Sequence, residues 1–226
     1  MKKDFTSVAV IPARGGSKRI PRKNLYPING KPMLAWVIET ALAADVFNEI
    51  VVSSEDDEIL ETAKFYGAKP HLRPNQLADD MTHVGAAVDE YLESVNIKPD
   101  TVCLLYATAV LLPPKYLTQC HELLKDPSVG SVLSITEFES PIQRAYLMLE
   151  DQSISMENPE FFDWRTQDLP KRYHDAGCFS WWKLNRLTSQ RSTGLNLPKQ
   201  FAVDIDSMDD LLIATALHLT TGYDRN

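Results

Sequence analysis

Residues 8–24 read "VAVIPARGGSKRIPRKN", and the fold turns on how that stretch is understood. An apolar run breaks at Pro12, two glycines follow, and Arg14, Lys18, Arg19, Arg22 and Lys23 crowd the positions before Asn24. The run reads as a buried strand, and the loop lies at its carboxyl end, where open parallel sheets bind ligands. Gly15 and Gly16 lack a Cβ, so their backbone can turn tightly and bring N–H groups to an anion. The spacing fits neither GxxxxGK[ST] nor GxGxxG. A solvated basic loop is the plain alternative; position after the first strand and the paired glycines favour a phosphate loop of another type.

Outward from this loop, apolar runs alternate with helix-period stretches. "EIVVSS" (49–54), "TVCLLYA" (101–107) and "VGSVLSI" (129–135) read as further strands. "KPMLAWVIETALAA" sets Leu34, Val37, Ile38, Ala41 and Leu42 on one helical face. "DDEILETAKFYGA" predicts a helix closed by Gly67, residues 82–95 a third, and "PPKYLTQCHELLK" a fourth entered through prolines. Strands alternating with helices of this length imply βαβ units, hence an α/β fold with a mostly parallel sheet covered on both faces. Residues 136–175 carry prolines and scattered aromatics without sustained period, and read as an inserted arm in a single domain spanning 1–226. Strands near 177–182 and 200–205 and a helix from about 208 are expected to close it.

Composition narrows the function. The 226 residues carry a net charge of −8, which suits neither general nucleic-acid binding nor anionic membranes. The basic loop is thus a local positive feature, matched to a small anionic ligand. Three cysteines, odd in number and without a CxxC pair, argue against disulfides or zinc and for a reducing compartment, so a cytoplasmic location is expected. The N-terminal apolar run is too short for a signal segment, and no stretch approaches the ~20 apolar residues of a membrane span.

Acidic residues supply the counterpart. In "FAVDIDSMDD" (201–210), a strand over 200–205 would turn Asp204 and Asp206 to one side, a pair suited to a hard cation such as Mg²⁺. Ser207 is a natural N-cap, which leaves Asp209 and Asp210 to complement the helix dipole. In "SSEDDEIL" (53–60), Ser54 as cap and Glu55 to Glu58 in the first turn are explained by capping alone, without metal.

The motifs together resemble a known family. "IPARGGSKRIPRKN" resembles the signature of the cytidylyltransferases that activate nine-carbon acidic sugars, the CMP-sialic acid synthetase superfamily. Arg19 stands where the sialic acid enzymes usually have glycine, and "YATA" and "YHDAG" are similar to the pseudaminic acid branch. "VVSSEDDEI", "LRPNQLADD" and "VDIDSMDDL" fall in the family's order, so the likeness spans nearly the whole chain. It implies a three-layer Rossmann-like nucleotidyltransferase fold, CTP and the acidic sugar as substrates, a divalent metal, and a homodimer formed through the arm.

Residue roles follow from the same likeness. Arg14 and Lys23 would neutralise the triphosphate, with Asp206 completing the catalytic set and Asp204 and Asp206 holding metal. Ala13, Gly15, Gly16, Ser17, Lys18 and Asn24 would line the nucleotide, and Arg73, Asp80 and Thr82 the cytosine. His83 reads as a polar helix residue. Tyr106 and Thr108 in "YATAV" fall on the sugar side. Gln143, Arg144, Arg172, His174 and Asp175 are further candidates for the sugar and its carboxylate. Two departures bear on the sugar: Val110 replaces the family's proline, and "DAGCFSWW" replaces "DAGQFYWG", which changes Cys178 and Ser180. Three alternatives stay open: activation of N-acetylneuraminic, legionaminic or a variant acid, a nucleotide-binding protein without turnover, and, least favoured, a nucleic-acid-binding module.

Overall fold

The computed structural model describes residues 5–77, 83–95 and 98–220. Its strands are β1 (Ser7–Pro12), β2 (Pro27–Ile28), β3 (Lys31–Pro32), β4 (Glu49–Ser54), β5 (Lys69–Leu72), β6 (Thr101–Leu105), β7 (Val129–Glu137), β8 (Tyr146–Met148), β9 (Ile154–Met156), β10 (Tyr173–Lys183) and β11 (Arg191–Asn196). The helices are α1 (Met33–Ala44), α2 (Asp57–Phe65), α3 (Ala86–Val95), α4 (Pro114–Leu124) and α5 (Met208–Thr220).

Central to the sheet is β1, buried from Ser7 to Ile11. Ala9 and Ile11 point into a core shared with α1, α2, α4 and α5, while Val8 and Val10 point into a second core under α3. That period-two alternation between two apolar layers is what a strand covered on both faces requires. The seven-stranded sheet runs β11-β7-β10-β6-β1-β4-β5. Strands β4, β1 and β6 are mutually parallel neighbours, β5 extends them, and β10 runs antiparallel between β6 and β7. From β1 the chain moves to β4 and β5, then returns to β6 on the other side. That reversal opens a crevice at the carboxyl ends of β1 and β6.

The predicted strands over 7–13, 49–54, 101–107, 129–135 and 177–182 all stand in this sheet. The strand expected over 200–205 does not form. Lys199–Phe201 is a short 3-10 turn and Asp204 and Asp206 follow in a loop, so the same-face argument for that pair fails. The edge strand is β11 instead; its last rung is Leu197 N–H to Ile135 O at 2.7 Å, and Pro198 then offers no donor. Leu42, expected on the buried face of α1, is 45% exposed.

Residues 138–172, between β7 and β10, lie outside the main sheet. They contain the β8–β9 hairpin and short 3-10 turns, and expose Tyr146, Leu147, Met148, Ile154, Phe162 and Trp164. Gly67, at φ +93°, closes α2 as expected. The cap of α2 is not Ser54 but Asp56, which accepts the Ile59 N–H at 3.1 Å; Ser54 Oγ accepts the Asp56 N–H.

Asp56 also accepts from the Arg22 guanidinium, and that bond holds its carboxyl below the usual range. A carboxyl depressed in the folded state contributes stability above its unfolded pKa of about 3.9 and loses it as pH falls through the folded value. Asp56→Ala should therefore lower stability by about 1 kcal/mol at pH 7, with the gap to wild type closing as the pH falls below the usual carboxylate range, as read by urea denaturation across pH. A gap independent of pH would contradict the charged role.

Candidate active site

Three neighbouring loops meet where the crevice opens. The loop after β1 is closed on itself: Asn24, buried, donates its Nδ2 to Arg14 O at 2.8 Å, and Ala13 N–H reaches Ser53 O at 2.9 Å. From this loop Lys23 crosses to the segment before α5, placing Nζ 2.7 Å from Ile205 O and 3.4 Å from Asp206 Oδ1. Arg19 meets the same Asp206 oxygen at 2.9 Å. The segment is fixed from behind by Ser207 and Asp210, which cap α5 reciprocally: Ser207 Oγ accepts the Asp210 N–H and Asp210 Oδ2 accepts the Ser207 N–H.

Three cavities run together here. The first, about 370 Å³, is lined by Arg14, Lys23, Asn24, Arg73, Tyr106, Thr108, Asp204 and Asp206, with Leu77, Val84 and Ala87 as an apolar wall. The second, about 420 Å³, shares Arg14, Lys23, Asn24 and Asp206 and adds Ser17, Lys18 and Arg19. The third, about 380 Å³, shares Tyr106 and Asp204 and adds His174, Asp175 and Gly177. One end is thus strongly cationic, the middle holds two carboxylates, and the far end mixes aromatic and acidic groups. Burial, and then Asp206, raise the Asp204 carboxyl above its ordinary value. Burial, then Asp175 and Asp204, raise the Tyr106 phenol, which keeps it neutral and able to donate.

A bulge in β10 builds the third cavity. Pairing with β7 shifts between Asp175 and Ser180, and Gly177 takes φ +64° within it. Gly177 N–H donates to Asp175 Oδ1 at 2.8 Å, which fixes that carboxylate at the cavity mouth.

Several expectations need correction. Gly15 does not present its amide to the cavity; its N–H donates to Glu55 Oε1 at 2.7 Å. Arg22 turns away from the cavity, in a left-handed conformation at φ 56°, and binds Asp56 and Glu58. The acidic run 55–58 is therefore not explained by capping alone. His83 lies before α3 rather than within it and lines the first cavity. Gln143 is buried and donates Nε2 to Pro170 O, while Arg144 donates to Phe162 O and Trp164 O; both staple the arm. Arg172 lines a separate hollow beside Glu137 and Lys171. Ala13 is core, and nothing lies within 4 Å of where a Gly16 Cβ would stand. Asp80 and Thr82 lie outside the described residues. Cys178 lines none of these three cavities: it is buried, with Sγ toward Phe201 O at 3.3 Å, and its thiol is pushed up to about 12. Val110 N–H donates to Thr108 O at 2.8 Å, a bond that proline could not make.

A switch-point cleft with a basic rim and a carboxylate pair defines a nucleotide-binding α/β enzyme, and comparison with known proteins supplies the family. The family described as Cytidylyltransferase matches residues 8–153, and the chain belongs to it. It is 43% identical over 222 residues to the pseudaminic acid cytidylyltransferase of Campylobacter jejuni subsp. jejuni serotype O:23/36, covering 94% of this chain and 96% of that one. It is 30% identical to N-acylneuraminate cytidylyltransferase B of Danio rerio, over 95% of this chain and 52% of that protein. Among solved structures, a CMP:2-keto-3-deoxy-manno-octonic acid synthetase complexed with CTP superposes with TM-score 0.69 at 18% identity, covering 96% of this chain and 99% of that one, which shows the shared fold.

Cys103, Cys120 and Cys178 are all buried and free, and burial raises each thiol. Native protein should leave all three unreacted with a disulfide reagent at pH 8, and denaturant should release three equivalents. Rapid labelling of the folded protein would contradict this packing.

Proposed function

We propose that this cytidylyltransferase couples CTP to pseudaminic acid, yielding CMP-pseudaminic acid and pyrophosphate. The observation that carries this reading is the run of three shared cavities, cationic at one end and walled by Tyr106, His174 and Asp175 at the other. Likeness to pseudaminic acid cytidylyltransferase supports the choice of sugar, being higher in identity than the likeness to an N-acylneuraminate enzyme.

In this reading Arg14, Ser17, Lys18 and Lys23 bind the triphosphate, and Arg73 faces the base. Asn24 acts by holding the Arg14 carbonyl, and Arg19 adds charge beside Asp206. The carboxylates of Asp204 and Asp206 fit Mg²⁺. Both line one cavity, and burial, then Asp206, raise the Asp204 carboxyl, as two carboxylates held close together would. Mg²⁺ takes oxygen ligands and would draw the rest of them from phosphate and water. When bound, Mg²⁺ supplies positive charge at phosphate oxygens and eases deprotonation of a nearby hydroxyl.

The sugar hydroxyl attacks the α-phosphorus and an O–P bond forms; the bond from that phosphorus to the α–β bridging oxygen breaks, pyrophosphate leaves with the electron pair, and the hydroxyl proton passes to solvent. Arg14 and Lys23 take up the charge of the departing pyrophosphate. The thiol of Cys178, buried and neutral, takes no part.

The whole chain, 1–226, then acts as one cytidylyltransferase domain with 136–175 as its arm. The apolar residues exposed there, Leu147, Met148 and Ile154 among them, support a homodimer through that arm. No helix among the described residues is long and apolar enough to cross a membrane, and three buried free thiols suit a reducing cytoplasm.

Asp206→Asn should reduce pyrophosphate release by about a hundredfold or more while the melting temperature holds. Near-wild-type turnover with Mg²⁺ would remove the metal assignment. Tyr106→Gln should change sugar preference with CTP affinity kept, and a change confined to CTP affinity would move Tyr106 out of the sugar site.

A further inference from the structure

The carboxyl ends of β1, β4 and β5 lie side by side, with β4 in the middle. The residue that follows β4 can therefore reach both neighbours, and Glu55 does. Its Oε1 accepts the Gly15 N–H at 2.7 Å, on the basic loop after β1. Its Oε2 accepts from Arg73 Nη2 at 3.0 Å, after β5. Arg73 is only 5% exposed, its backbone N–H is spent on Ser54 O, and its Nε has no partner among the described residues. The guanidinium is thus oriented by Glu55 alone among the described side chains, while it lines the first cavity. Gly15 is hemmed in on the same side, since a Cβ there would stand 2.4 Å from Asp56 Oδ2.

A carboxylate at the edge of a triphosphate site is unfavourable by charge alone. Its two oxygens are nevertheless each committed, one to the backbone of the phosphate loop and one to the cation that lines the first cavity. We propose that Glu55 is a positioning residue that couples the phosphate loop to Arg73, setting the guanidinium and the Gly15 backbone in one register. The inference rests on the reading of Arg73 as the base-facing cation and assigns a role that capping of α2 does not require, because Asp56 caps that helix.

Sign separates positioning from charge. If Glu55 were only a nearby negative group, neutralising it would tighten anion binding. If it positions the loop and Arg73, neutralising it loosens binding, because the amide keeps one acceptor oxygen and puts an NH₂ donor in place of the other. Calorimetric titration of wild type, Glu55→Gln, Glu55→Asp and Arg73→Ala with CTP and with inorganic tripolyphosphate makes the comparison, with melting temperatures confirming the fold. Glu55→Gln should weaken CTP and tripolyphosphate alike, each by about tenfold, the scale of one charge-assisted hydrogen bond. Arg73→Ala should weaken CTP and spare tripolyphosphate. Glu55→Asp keeps the charge but is one methylene short of spanning both partners, so it should shift in the same direction and carries the test if Glu55→Gln does not fold. Unchanged or tighter tripolyphosphate binding in the Glu55 variants would overturn the proposal. Failure of the underlying reading registers separately, as an Arg73→Ala protein that binds CTP like wild type; that result removes the base end and the coupling with it.

Discussion

A single ammonium group closes this site. Lys23 Nζ lies on Ile205 O and beside Asp206, and so joins the loop after the first strand to the segment before the last helix. The contact needs both partners prepared. On one side Asn24 ties the loop to the Arg14 carbonyl; on the other, the reciprocal cap of Ser207 and Asp210 holds the chain at the entrance to α5. Desolvation makes the pairing consequential: the Lys23 side chain is 19% exposed, so its charge is screened less than that of a surface lysine.

Charge is then graded along the cleft. Four cations line the region around the basic loop, two carboxylates sit at the middle, and the β10 bulge delivers Asp175 and His174 beside Tyr106. In the proposed reading, polyphosphate takes the first of these, a hard cation the second, and a hydroxylated acid the third. The acidic run after β4 serves this arrangement from outside the cavity. Asp56 and Glu58 pull Arg22 off the loop into a left-handed turn, and Glu55 takes the Gly15 amide. The basic loop is shaped as much by carboxylates beneath it as by its own glycines.

The sheet was legible in the sequence because parallel strands buried on both faces are continuous apolar runs, as at 7–12, 49–54 and 101–105. Edge strands carry no such run. "KPHL" and "RSTGLN" are short, polar and half exposed, and "FAVDID" looked more strand-like than either while forming only a turn and a loop. The site shows the same division. Arg14, Lys23 and Asn24 stood out in the glycine loop at a strand end, the Asp204–Asp206 pair through a strand that does not form, and Tyr106, His174 and Asp175 through family motifs. Glu55 was hidden, since an acid at a helix start already has a local explanation and only the lateral order β1-β4-β5 reveals its reach. Gln143 and Arg144 misled for the converse reason: polar residues in an aperiodic arm look available, whereas their partners are carbonyls 18 to 27 positions away.

The measurement closest to the central claim is pyrophosphate release by the wild-type protein from CTP and Mg²⁺ with pseudaminic, legionaminic and N-acetylneuraminic acids offered separately. The account predicts release that depends on sugar and metal together and is fastest with pseudaminic acid. Equal rates with all three acids would contradict the assignment of sugar choice to the cavity of Tyr106, His174 and Asp175. CTP binding without release for any of them would contradict catalysis of this transfer.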